Sequence, residues 1–190
     1  MSSFRIVETG LQGLVVVESI ENVAHETWTT FNDELAPYIR HIDGTCCNYV
    51  QENESLSRRN VLRGIHMQIS NPQGKLVRVI RGKVYDVAVD ARSKSKTFGR
   101  WFGIELSADN RKQLLIPEGF LHGFYVMSDE AVFSYRCTRF YCPNDEYGVM
   151  WNDPEIKIKW PTSNNDSLIL APRDCNNHSF AEFKKQLGVI

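Results

Sequence analysis

The sequence predicts an all-β jelly-roll barrel with a few peripheral helices. Three observations point there: many short runs rich in β-branched and aromatic residues, turn-forming residues between them, and helical periodicity confined to two stretches. The 190 residues suit a single domain, 1–190, long enough to bury a sizeable core without disulfides or metal.

Candidate strands fall at 4–7, 14–17, 76–80, 84–89, 102–106, 113–116, 124–127, 132–138 and 156–160, where β-branched and aromatic side chains concentrate. The segment 62–68 is also strand-like. Breakers separate these runs, as at Asn71-Pro72-Gln73-Gly74, Arg81-Gly82 and Pro117-Glu118-Gly119. Within 29–42, Phe31, Leu35 and Ile39 recur at four-residue spacing, which predicts a helix. A second helix is predicted over 178–188, with Phe180, Phe183 and Leu187 on one face and Ser179 as its N-cap.

Lys and Arg total 22 against 23 Asp and Glu, a formal net charge of −1, so the broad basic field of a nucleic-acid binder is missing. The longest apolar runs are a few residues long, whereas a membrane span needs about 20, and the first residues lack the pattern of a secretory signal. Five cysteines without a C-x-x-C pair suit a reducing, cytoplasmic setting. The vicinal pair Cys46-Cys47 reads as ordinary small hydrophobes.

His66 follows Arg63 in the strand-like segment, and His122 follows the Pro117-Glu118-Gly119 turn, which would present it at a barrel mouth. Taken singly, a strand histidine is usually structural. As a pair at barrel edges they raise the question of a metal. Metal-binding jelly rolls place H-x-H and a nearby Glu in their first motif, but here the run is His66-Met67-Gln68, and a thioether and an amide are poor ligands for a divalent ion. No metal is expected. His25, His41 and His178 read as solvent-facing.

Several motifs occur in a fixed order: Val61-Leu62-Arg63-Gly64-Ile65-His66, Gln73-Gly74-Lys75, Asp86-Val87-Ala88-Val89-Asp90, Thr97-Phe98-Gly99-Arg100-Trp101, Ile116-Pro117-Glu118-Gly119-Phe120 and Trp151-Asn152-Asp153-Pro154. Together, over roughly 50–175, they resemble the nucleotide-sugar 3,5-epimerases typified by dTDP-4-dehydrorhamnose 3,5-epimerase. The resemblance implies a cofactor-independent cupin jelly roll, usually a homodimer, acting on a nucleoside-diphosphate 4-keto-6-deoxy sugar at C3 and C5. It assigns the base to His66, its paired carboxylate to Asp174, the opposed proton donor to Tyr135, and the cation beside the sugar oxygen to Lys75. It also implies substrate contacts from Arg63 (diphosphate), Gln51, Asn53, His122, Tyr141, Glu146 and Arg173. Each residue has an ordinary reading as well: a core tyrosine, a turn lysine, a capping carboxylate.

The N-terminal quarter departs from the family form D-x-R-G-x-F-x-E-x-F. Ala24 stands where the arginine is expected and Thr29 where the glutamate is expected, while Trp28 offers a stacking surface for either nucleotide base. The neighbouring Trp28-Thr29-Thr30-Phe31 is similar to relatives that act on GDP-linked 4-keto heptoses. The alternatives are therefore a GDP-heptose epimerase, a C3-only epimerase, or, in a different class, a noncatalytic sugar-binding cupin.

Overall fold

The computed structural model describes residues 2–22, 27–163 and 167–189. Among the described residues, fourteen strands run in chain order: β1 (Phe4–Glu8), β2 (Val15–Ser19), β3 (Glu21–Asn22), β4 (Thr27–Trp28), β5 (Gln51–Arg58), β6 (Val61–Gln68), β7 (Lys75–Arg81), β8 (Lys83–Asp90), β9 (Trp101–Ser107), β10 (Lys112–Ile116), β11 (Phe120–Val126), β12 (Glu130–Cys137), β13 (Glu146–Gly148) and β14 (Ile169–Leu170). Two antiparallel sheets face each other as a jelly roll. The first has the order β1-β2-β10-β7-β12-β5; the second is β13-β6-β11-β8-β9, with β14 added in parallel to β6. A small β3–β4 hairpin stands apart.

Because side chains alternate along a strand, each sheet has an inner and an outer face to bury. The inner faces meet in a core of Leu14, Val16, Val77, Val79, Val84, Leu106, Leu114, Phe124, Val126 and Phe133. The outer face of the first sheet, with Val15, Val17, Leu76 and Leu115, is covered by Leu35 and Ile39. On the second sheet, Ile65, Met67, Val87 and Val89 pack outward against Ile156, Phe180 and Phe183. The C-terminal cover is the helix α1 (Phe180–Gln186), closed at its start by a reciprocal Ser179–Glu182 capping box.

Two expected elements are corrected. The helix predicted over 29–42 is only a 3-10 helix, Asp33–Tyr38, capped by Asn32 and containing Pro37, whose ring and missing N–H forbid a longer α-helix. Its four-residue spacing reflects Leu35 and Ile39 reaching down onto the sheet. The strand expected at 156–160 is irregular chain; Ile156, Ile158 and Trp160 pack on the outer cluster without joining a ladder. The strand-like segment 62–68 is β6, whereas β5 was not among the predicted runs. β5 hides because its alternate residues Gln51, Asn53, Ser55 and Ser57 are polar although they face inward, so it lacks the apolar alternation of a core strand.

Candidate active site

Strands that fill the barrel at one end with Val, Leu and Ala carry polar residues inward at the other, leaving a cavity of about 310 Å³. Its wall includes Arg63, His66, Lys75, His122, Tyr135, Glu146 and Arg173, with Phe120, Phe124 and Phe133 on its apolar side. Phe124 and Phe133 stack with centroids 4.5 Å apart.

Arg63 and His66 are three residues apart on one strand and would face opposite sides in a regular ladder. Pairing with β11 aligns His66 with His122 but Arg63 with Phe124, so β6 carries one residue more than its partner between these points. This bulge returns both side chains to the cavity. Gly64 permits it: its φ is +107°, and a Cβ there would lie 2.7 Å from the His122 carbonyl and 2.8 Å from Gly123 Cα.

His66 Nε2 lies 2.5 Å from Asp174 Oδ1. Asp174 arrives from a 3-10 turn, Pro172–Asn176, and its side chain is 1% exposed. Burial alone would raise the Asp174 carboxyl, but hydrogen bonding and charge from His66, the Gly64 N–H and Arg173 outweigh it, so the group is held below its ordinary value. A second histidine–carboxylate pair stands beside the first: His122 Nε2 is 3.1 and 2.9 Å from the two oxygens of Asp86, which is wholly buried. Asp86 escaped the sequence reading. Its signal was a lone carboxylate inside the apolar run 84–89, a placement that demands a buried partner.

Across the cavity, the first sheet supplies Lys75 and Tyr135. Burial lowers the Lys75 ammonium's pKa, while Cys137, Glu146 and Asp86 oppose that shift. Tyr135 is pushed up by burial and by Cys137 against the pull of Arg63 and Arg173, so its phenol is firmly protonated near neutrality. At the rim, Arg173 Nη1 meets Glu146 Oε2 at 2.6 Å, and the Tyr141 hydroxyl donates to the same oxygen at 3.3 Å. Gln51 and Asn53 extend along β5, joined by a 3.0 Å amide hydrogen bond.

Of the twelve residues singled out, ten line this cavity and Asp174 stands directly behind His66. Trp28 is not among its lining residues; it lies on the β3–β4 hairpin, with the Arg111 guanidinium 3.5 Å above its ring. His41 is not solvent-facing as expected. It is half-buried, 2.8 Å from the buried Glu118 carboxylate, because that charge needs partners. His178 is exposed, as expected, with one face stacked on Tyr147, and His25 lies outside the described residues. Among the described residues, His41, Cys47 and Glu118 form a metal-capable group with ligand atoms within 4.8 Å, but Arg139 already donates to Glu118 at 3.1 Å.

A family model for dTDP-4-dehydrorhamnose 3,5-epimerase matches residues 8–182. The dTDP-4-dehydrorhamnose 3,5-epimerase of Methanothermobacter thermautotrophicus is 45% identical over 176 residues, 93% of this chain and 94% of the relative. The crystal structure of the same enzyme from Elizabethkingia anophelis superposes with a TM-score of 0.87 at 37% identity, covering 95% of this chain and 98% of that one. A Legionella pneumophila dTDP-6-deoxy-D-glucose-3,5-epimerase, solved with dTDP-4-keto-L-rhamnose, gives 0.84 at 38% identity over 95% and 96% of the two chains. With its jelly roll, its polar cavity and this breadth of similarity, the chain belongs to the dTDP-4-dehydrorhamnose 3,5-epimerase family.

Proposed function

We propose that this chain is an isomerase that inverts C3 and C5 of dTDP-4-dehydro-6-deoxyglucose, yielding dTDP-4-dehydrorhamnose. One observation carries the reading: a histidine paired with a buried carboxylate on one sheet and a protonated tyrosine on the opposed sheet line the same cavity. Inversion needs proton removal on one face of the sugar and delivery on the other. The 4-keto group acidifies the hydrogens on its neighbouring carbons. Asp174 accepts from the Nε2–H of His66, leaving the Nδ1 lone pair as base. The C5–H electron pair moves toward the carbonyl oxygen as the proton leaves, and the Lys75 ammonium stabilises the resulting enolate. Tyr135 then delivers its phenolic proton to the opposite face. Exchange with solvent resets both groups, and the cycle repeats at C3.

Arg63 and Arg173 serve the diphosphate, as their bidentate donors suit, with Gln51, Asn53, His122, Tyr141 and Glu146 completing the substrate contacts. The reading places the protein in the cytoplasm, in keeping with five free cysteines, as a homodimer with one barrel per chain. Strands β1 and β5 are the free edges of the first sheet, surfaces that sheets ordinarily cover. Since Trp28 lies outside the cavity of its own chain, base stacking by this side chain requires the hairpin of a second copy.

The test is mass-spectrometric deuterium uptake in heavy water, with dTDP-4-dehydro-6-deoxyglucose and a GDP-linked 4-keto-6-deoxy sugar in parallel. Uptake at C3 and C5 of the thymidine compound is expected. Uptake at C3 alone, or only from the guanosine compound, overturns the assignment.

A further inference from the structure

Gln68 occupies the cavity face two residues after His66, is 3% exposed, and has no role in the mechanism above. Its amide is committed to main chain at the cavity mouth. Nε2 donates to the Asn71 carbonyl at 2.7 Å and to the Phe140 carbonyl at 3.4 Å, while Oε1 accepts from the Cys142 N–H at 2.7 Å. The residue between Phe140 and Cys142 is Tyr141, whose own N–H donates to Gln51 Oε1 at 3.0 Å. Two glutamines, one from each sheet, thus grip three consecutive residues of an irregular segment that spans the mouth. Phe140 and Tyr141 are 70% and 45% exposed, so packing does little to hold them. Hydrogen bonds must do so instead, and a buried amide that is fully matched in donors and acceptors is a directional anchor.

We infer that Gln68 is a positioning residue: it sets the Tyr141 ring and hydroxyl at the rim, and so governs capture of the nucleotide sugar without touching the reacting carbons. The inference rests on the proposed activity for its kinetic consequences, but its structural core is testable without substrate. Gln68→Leu removes all three hydrogen bonds and strands the Cys142 N–H and the Asn71 carbonyl. Gln68→Glu keeps the shape and the acceptor for Cys142 but turns an oxygen toward the Asn71 and Phe140 carbonyls.

Hydrogen–deuterium exchange on the free, full-length protein should show amide exchange in 139–142 accelerated about 10-fold in both variants, with the strand amides of β6 and β12 unchanged. With dTDP-4-dehydro-6-deoxyglucose, KM should rise about 10-fold while kcat stays within about two-fold, and the Gln68→Leu effect should largely vanish in a Tyr141→Ala background. Unaltered exchange in 139–142 in both variants overturns the inference whatever the wild type does with substrate. A fall in kcat at constant KM, or full additivity with Tyr141→Ala, also overturns it, because either would mean that Gln68 acts other than through Tyr141. A wild-type protein that fails to turn over this substrate refutes the proposed activity and leaves the exchange measurement to decide the role of Gln68.

Discussion

The two ends of the barrel are made from the same strands and obey different rules. Along β12 the inward positions run Ala131, Phe133, Tyr135, Cys137; along β11 they run Val126, Phe124, His122, Phe120; along β7 they run Val79, Val77, Lys75. Register keeps these steps level, since Phe133 pairs with Val79, Tyr135 with Val77 and Cys137 with Lys75. At the closed end every step is a hydrocarbon meeting another. At the open end the same steps present a phenol, an imidazole and an ammonium to a cavity. Rigidity is built at one end and used at the other, where side chains with costly solvation requirements must be held still.

Substitutions at the two ends should therefore separate activity from stability. His66→Ala should reduce turnover roughly 10,000-fold while dTDP binding, followed by calorimetry, stays near wild type. Tyr135→Phe should reduce product formation roughly 1,000-fold yet still wash deuterium into unreacted substrate, because the base on the other sheet continues to form the enolate. Loss of that washout would show that the two residues do not act on separate faces. At the closed end, Leu114→Ala should cost about 2–5 kcal/mol in chemical denaturation through the cavity it leaves, with kcat nearly unchanged in the folded fraction. Asp174→Asn should lower kcat roughly 100-fold, since the imidazole remains but loses its orienting carboxylate.

The smallest effect concerns acid. The Asp174 carboxyl lies below its ordinary value in the folded protein, so its contribution to stability is complete above about pH 4 and is lost as pH falls through the lower folded value. Between pH 7 and pH 3 the wild-type Tm should therefore fall further than that of Asp174→Asn. Equal losses in a thermal-shift series would show that the His66 pair contributes nothing to acid stability.

The closed end was far more legible in the sequence than the open one. Hydrocarbon alternation announced β2, β7, β8, β10 and β12 within a few residues of their ends. β5 left no such trace because its inward face solvates a cavity, and 156–160 misled because Ile156, Ile158 and Trp160 serve a surface cluster rather than a ladder. At the site, order along the chain and family resemblance pointed to His66, Lys75, Tyr135 and Asp174. Asp174 lies 108 residues from the histidine it touches, so the resemblance joined them where local pattern could not. Asp86 was visible as a charge in an apolar strand but unreadable without its neighbour. Trp28 drew attention for its chemistry, and only the fold shows that it stands under Arg111, away from the cavity of its own chain.

The bulge at Gly64 has a consequence for engineering. One supernumerary residue, tolerated only because its Cβ is missing, keeps Arg63 and His66 on the same side of β6. Any insertion or deletion between them would turn one of the two away from the cavity, and any side chain at 64 would drive into the backbone of β11. The stretch 63–66 therefore behaves as an indivisible cassette that, in the proposed mechanism, links phosphate grip to proton abstraction. Directed evolution toward other sugars should leave it untouched and spend its diversity on the rim, at 139–142 and at 146 and 173, where variation does not disturb the strand.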